Sequence, residues 1–208
     1  MGTVKLRFVN NSNNNSNQDV VIFQKNEAYC LDELAIAWRV IRCFSKGDVH
    51  LFGFTNDMEI SASDSYGNFS NQIDGVEHGQ QFSVYKEDAE PEIAHVGKAP
   101  IENEIHVRND RAVGSIDAHI FRDGKKLAVR DNVAPAQNAV FRFEPTVWVG
   151  VVSQVQEGHT LNSAILSQVD KSFNLKGIAS ADIVMTGGGP GINSTPFHFE
   201  LENVQYSE

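Results

Sequence analysis

The sequence predicts an all-β protein built from two tandem, structurally similar antiparallel β-sandwich modules. Three observations lead there. The two halves open alike, since Asn11, Asp19, Ile22 and Phe23 recur as Asn109, Asp117, Ile120 and Phe121, and Val9 recurs as Val107, always 98 positions on. Apolar residues alternate with polar ones at period two in segment after segment, the mark of half-buried strands. Runs of Asn, Gly, Ser and Pro separate those segments at regular spacing, as in a sandwich. A repeat near 100 residues is one small domain, far too long for a solenoid unit. The expected division is therefore 1–90, a linker at 91–100, and 101–208.

Along the chain, Val4, Leu6 and Phe8 alternate with Lys5 and Arg7. Phe197, Phe199 and Leu201 alternate with His198, Glu200 and Glu202, while Ala139, Phe141, Phe143 and Val147, Val149, Val151 form similar rows. Ile116, Ala118 and Ile120 run into Asp123-Gly124, followed by Leu127 and Val129. Asp-Gly tolerates positive φ at both turn positions, so a hairpin is expected there. Phe52, Phe54, Ile60 and Ala62 correspond to Phe141, Phe143, Val149 and Val151 at an offset of 89. The first half thus carries about nine extra residues, placed within Asn26 to Lys46. Residues 31–43 fit a short helix through Leu31, Leu34, Ala35, Trp38 and Ile41, or a strand through Leu34, Ile36, Trp38 and Val40. Leu127-Ala128-Val129 at the matching place favours the strand.

The chain has 208 residues and a formal net charge of −10. That acidity is shared between the halves, which disfavours nucleic acid and anionic lipid as partners. No run reaches the length of a membrane helix, so no integral membrane segment is expected. No secretory signal is visible at the N-terminus, so synthesis in the cytoplasm is expected, and non-classical export would leave no mark. Cys30 and Cys43 form no disulfide framework and read as buried thiols. The Asn-x-Ser/Thr sequons at Asn10, Asn14, Asn68 and Asn193 read as accidental for a chain expected to stay inside the cell.

No catalytic residues are predicted. The run Gly187 to Gly191 lacks the third glycine of a dinucleotide fingerprint and the Lys-Ser/Thr of a phosphate loop, and reads as a loop between strands. Seven scattered histidines make no metal-ligand spacing, and no metal or cofactor is expected. Glu102, Glu104 and His106 share one strand face and Asp117 and His119 another; both read as solvated polar faces.

The most suggestive surface loop is 61–72. Asp64, Tyr66, Asn68 and Asn71 combine hydroxyl-binding oxygens and amides with an aromatic face, the chemistry of a carbohydrate site. A tight turn through Asp64-Ser65-Tyr66-Gly67-Asn68, or a Ca²⁺ site through the oxygens of Asp64, Asn68 and Asp74, are the other readings of this stretch. The expected function is non-enzymatic binding through loops at the sandwich ends, with a carbohydrate or protein partner and self-association through sheet edges. Two alternatives stand beside it: a membrane-active, pore-forming or insecticidal-type protein inserting Ser61–Phe82 or Ser153–Phe173, and an enzyme whose site the sequence does not reveal.

Overall fold

In a computed structural model the described residues are 2–13, 18–29, 35–42, 45–86, 90–162 and 171–207. They form sixteen strands. The first eight are β1 (Val4–Asn10), β2 (Asp19–Phe23), β3 (Arg39–Arg42), β4 (Val49–Phe54), β5 (Met58–Asp64), β6 (Ile73–Val76), β7 (Gln80–Tyr85) and β8 (Glu92–Lys98). The second eight are β9 (Ile105–Asn109), β10 (Ile116–Arg122), β11 (Lys125–Val133), β12 (Asn138–Phe141), β13 (Thr146–Val152), β14 (Lys171–Asn174), β15 (Ile178–Gly188) and β16 (Thr195–Tyr206). A single 3-10 turn at Gly191–Asn193 is the helical content of the described residues. The fold is all-β, and among the described residues no helix is long and apolar enough to cross a membrane.

The strands form four sheets of four, ordered β16-β15-β1-β4, β14-β13-β2-β3, β11-β10-β5-β6 and β12-β9-β7-β8. The first two sheets lie in one compact unit, Met1–Gln24 with Leu34–Asn56 and Pro145–Glu208. The other two lie in a second unit, Lys25–Glu33 with Asp57–Glu144. The units are therefore not sequential, and the segment expected to be a linker, 91–100, is largely strand β8. Its acidic and proline residues suggested a spacer, but Ile93 at its start is buried and pairs with Val84.

Adding eight to the numbers of β1–β4 and subtracting eight from those of β13–β16 turns the first unit's sheets into the second's: β15, β1 and β4 correspond to β7, β9 and β12, and β13, β2 and β3 to β5, β10 and β11. The registers follow the same rule. Ile22 lies opposite Val149 and Ile120 opposite Ile60, which matches the offsets of 98 and 89. In the first strands the ungapped alignment is off by one. Leu6 faces Phe52 as Ile105 faces Phe141, so Phe8, not Val9, is the counterpart of Val107. Phe8 and Val107 are both fully buried. Because alternate side chains face opposite ways, a one-residue slip would have exchanged core for surface. The extra residue falls in the Asn/Ser-rich connection after β1.

The nine additional residues of the first half lie in the β2–β3 connection, where β10 and β11 are joined by Asp123-Gly124 alone. Both turn residues have positive φ, 53° and 67°, as the hairpin requires. In the longer connection, residues 35–37 hydrogen-bond to 158–161. Ala35, Ala37 and Leu161 thereby cover Val21, Phe23 and Val152 on the outer side of their sheet, and β2 is buried on both faces. Earlier in the same connection, Asn26 and Tyr29 bind the backbone of Val140 and Arg142, and Arg130 stacks over the Tyr29 ring at 4.5 Å. Arg39–Arg42 is a strand, as favoured; residues 31–34 of the alternative helix, and both cysteines, lie outside the described residues.

Sheet meets sheet through aromatic residues and buried amides. In the first unit Trp38, fully buried, packs edge-on against Phe54 at 6.1 Å and Phe52 at 6.5 Å. In the second, Asn109 on β9 donates to the carbonyl of Val133 on β11 at 2.9 Å. Inner rows such as Leu6 and Phe8, or Val20 and Ile22, are almost wholly excluded from water. Each such side chain contributes roughly 1.5–3 kcal/mol by its burial.

Candidate functional site

The loop after β5 is shaped by Asp64. One carboxylate oxygen accepts the backbone N–H groups of Tyr66 and Asn68, both at 2.9 Å, and the other accepts the Asn68 side-chain amide at 3.1 Å. Burial opposes the charge, but the bonds from Asn68 and Tyr66, aided by Arg111, outweigh it and hold the acid below the usual carboxylate range. Gly67 supplies the positive φ that closes the turn. Asp64 and Asn68 are thus engaged in holding the loop, and Tyr66 projects from it, 88% exposed.

The chain then folds back on β5. Ser70 N–H donates to the carbonyl of Ala62, and the Ser70 hydroxyl accepts from Ala62 N–H. Phe69 consequently lies over His119 with ring centroids 5.3 Å apart. Asn71 reaches β8 with both ends of its amide, donating to the carbonyl of Ile93 at 3.1 Å and accepting from its N–H at 3.0 Å. A side chain here stands in for a strand edge, fixing the β5–β6 loop against the β7–β8 loop.

Between those loops is an open cavity of about 700 Å³, lined by Phe69, Asn71, Tyr85, Lys86, Glu92 and Ile93 together with Glu90 and Pro91. Phe69 and Tyr85 are 54% and 42% exposed, so two aromatic faces are presented to solvent. Lys86 and Glu92 form an ion pair on the cavity wall. Their hydrogen bond raises the ammonium pKa and lowers that of the carboxylate, so both stay charged. Lys86 has φ of 79°, a backbone state that a lysine rarely adopts without a surrounding reason. Alternation along β7 buries Phe82 and Val84 and turns Tyr85 outward.

Of the four residues singled out from sequence, the structure places Asn71 on this cavity and keeps Asp64 and Asn68 in the turn beside it. Phe69, Tyr85, Lys86 and Glu92 were not singled out. A signal existed for Tyr85, which breaks the apolar alternation at a strand end. None existed for Lys86 or Glu92, whose pairing depends on the β7–β8 hairpin closing.

The two acid–imidazole groupings end on different sheets, β9 and β10. Glu104 and His106 are buried and bonded at 2.8 Å, with Arg142 at 3.5 Å from the same carboxylate, while Glu102 is exposed. They are thus not solvated: the β9 face carries a paired, buried acid and imidazole. His119 on β10 bonds Ser63 at 2.9 Å beneath Phe69, and burial, reinforced by Lys126, pushes its pKa down to about 4. Among the described residues no group of acids, histidines or cysteines could hold a metal ion.

The glycine run closes the β15–β16 hairpin. A Cβ on Gly187 would lie 2.1 Å from the carbonyl oxygen of Pro196, and one on Gly188 would lie 2.7 Å from the Phe197 ring. Ser61–Phe82 is woven into three strands, β5, β6 and β7, of which β5 and β7 pair with β10 and β9. Ser153–Phe173 includes 163–170, which lie outside the described residues. A second cavity, about 280 Å³, lies in the first unit over the Arg7–Asp182 ion pair, beside the 79% exposed Leu51. No protein-family model, no curated protein and no solved structure matches this chain.

Proposed function

We propose that this protein binds a ligand without transforming it, and that the ligand is a carbohydrate held between the β5–β6 and β7–β8 loops. The observation that carries this reading is the cavity with Phe69 and Tyr85 on its walls and the Lys86–Glu92 pair beside them. An exposed aromatic ring offers a flat apolar surface to the C–H face of a sugar, and Tyr adds a polar rim. A charged pair and an amide give strong, directional partners to hydroxyl groups. Asn71 holds the two loops in register, which lowers the entropy lost on binding.

We also read the two halves as descendants of one duplicated unit, supported by the identical strand order and by the offsets between them.

A glycan array followed by a thermal-shift titration with the best hit tests the binding function. A hit whose affinity falls at least tenfold in Tyr85→Ala and in Phe69→Ala, with both variants folded, is the expected result. A blank array together with an unmoved melting temperature across sugars would remove the carbohydrate assignment.

A further inference from the structure

Within every sheet, two adjacent strands come from residues 4–98 and the other two from 105–206. The orders read β16-β15 against β1-β4, β14-β13 against β2-β3, β11-β10 against β5-β6 and β12-β9 against β7-β8. One central pairing in each sheet joins the halves: β15 with β1, β13 with β2, β10 with β5 and β9 with β7. Neither half owns a complete sheet. Taken alone, each would expose one bare edge of every two-stranded ribbon, with its N–H and C=O groups unpaired, and two-stranded ribbons are marginal in water.

We infer that the two halves of this chain are obligate partners which recognise each other as two separate polypeptides would, each completing both sandwiches of the other, and that the covalent link between them is dispensable. The complementarity is geometric and chemical. The four central pairings supply backbone hydrogen bonds. Apolar rows meet across them, with Phe8 opposite Ile183, Ile22 opposite Val149 and Ile120 opposite Ile60. Charge adds to this, because Arg7 on β1 grips Asp182 on β15 through two side-chain bonds and Asn203 donates to the same carboxylate at 2.7 Å.

The link, residues 99–104, belongs to none of these pairings. Pro100 and Ile101 are exposed. Its backbone hydrogen bonds run to the Gly79 turn and within the link itself, from Ala99 N–H to the Gly79 carbonyl, from Gly79 N–H to the Glu104 carbonyl and from Glu104 N–H to the Ile101 carbonyl, and the side chain of Glu104 at its end bonds His106.

The test is a site-specific protease sequence inserted between Pro100 and Ile101 of the full chain. After complete cleavage the two fragments are expected to co-elute in one peak at the volume of the intact protein and to separate only in denaturant. The melting temperature of the cut protein should fall by about 3–6 °C for each tenfold dilution, since melting now releases two molecules. The uncut protein should show no such dependence. Two fragments that elute apart while each keeps a folded β spectrum would overturn the inference, because that is how independent tandem modules behave. If the insertion itself prevents folding, residues 1–100 and 101–208 are co-expressed with different tags. Co-purification supports the inference and its absence refutes it.

Discussion

Asn10 and Asn109 perform the same task in the two units. Each is almost completely buried, and each side-chain oxygen accepts the N–H two residues on, that of Ser12 or of Arg111. Each amide donates to backbone carbonyls elsewhere in its unit: Asn10 to Ser45, Asn109 to both Gly114 and Val133. An asparagine suits the position because it alone combines a short acceptor for an Asx turn with two N–H donors.

Asn109→Ala should therefore destabilise the second unit by about 3 kcal/mol, since three backbone groups lose a buried partner. Asn109→Asp should be at least as damaging, because it keeps the acceptor but sets a carboxylate against two carbonyls. Urea unfolding measures both, and Asn10→Ala should have the smaller effect.

Glycine is required unequally along the chain. Gly187→Ala and Gly188→Ala combine positive φ with a Cβ driven into Pro196 or Phe197, so each should cost more than about 2 kcal/mol. Gly75→Ala also has positive φ but meets nothing within 4 Å, so about 1 kcal/mol is expected there. A thermal melt of the three variants distinguishes steric from conformational cost.

Acid should find a weak point at His119. Its folded-state pKa of about 4 lies below the unfolded value of 6.5, so the unfolded chain binds the proton more readily. The stability tied to its neutral form is present in full above pH 6.5 and is lost as the pH falls toward 4, reaching on the order of 3 kcal/mol. Carboxylates that gain stability from their charge lose it lower in the scale. His119→Phe should flatten the stability profile between pH 6.5 and 5. NMR titration should show the His119 ring unchanged until well below pH 5. A His119 that titrates near 6.5 would contradict the burial argument.

Ile22 and Ile120 occupy matching, fully buried positions opposite Val149 and Ile60. Truncating either to Ala should cost about 2–5 kcal/mol. Ile22→Ala is expected to weaken the unit containing the chain ends and Ile120→Ala the central unit. Hydrogen exchange resolved by segment should show which strands lose protection in each variant.

Much of the fold was legible because sheets write their faces into the sequence. Val4, Leu6 and Phe8, or Phe141 and Phe143, alternate so cleanly that little else could bury them, and Asp123-Gly124 permits scarcely any other connection. The offset of 98 reappears in the structure, where Ile22 and Ile120 stand opposite Val149 and Ile60. The gap after the first strand was invisible because Asn11 and Val9 happen to find matches one residue away from their true counterparts. Of the candidate site only Asn71 stood out in the sequence; Phe69 and Tyr85 were not singled out, and the Lys86–Glu92 pair exists only once β7 and β8 close on each other.

The sequence by itself determined the class of structure and the places of the cleanly alternating strands, since those depend on local periodicity and turn chemistry. Tertiary structure alone decided which half each strand joins. Alternation tells a strand which side faces oil and which faces water, but it carries no label for the neighbour along the hydrogen-bonding edge. With two similar halves on one chain, β1 could meet its own β7 or the equivalent β15, and the choice of β15 rests on packing and registry summed over all four sheets.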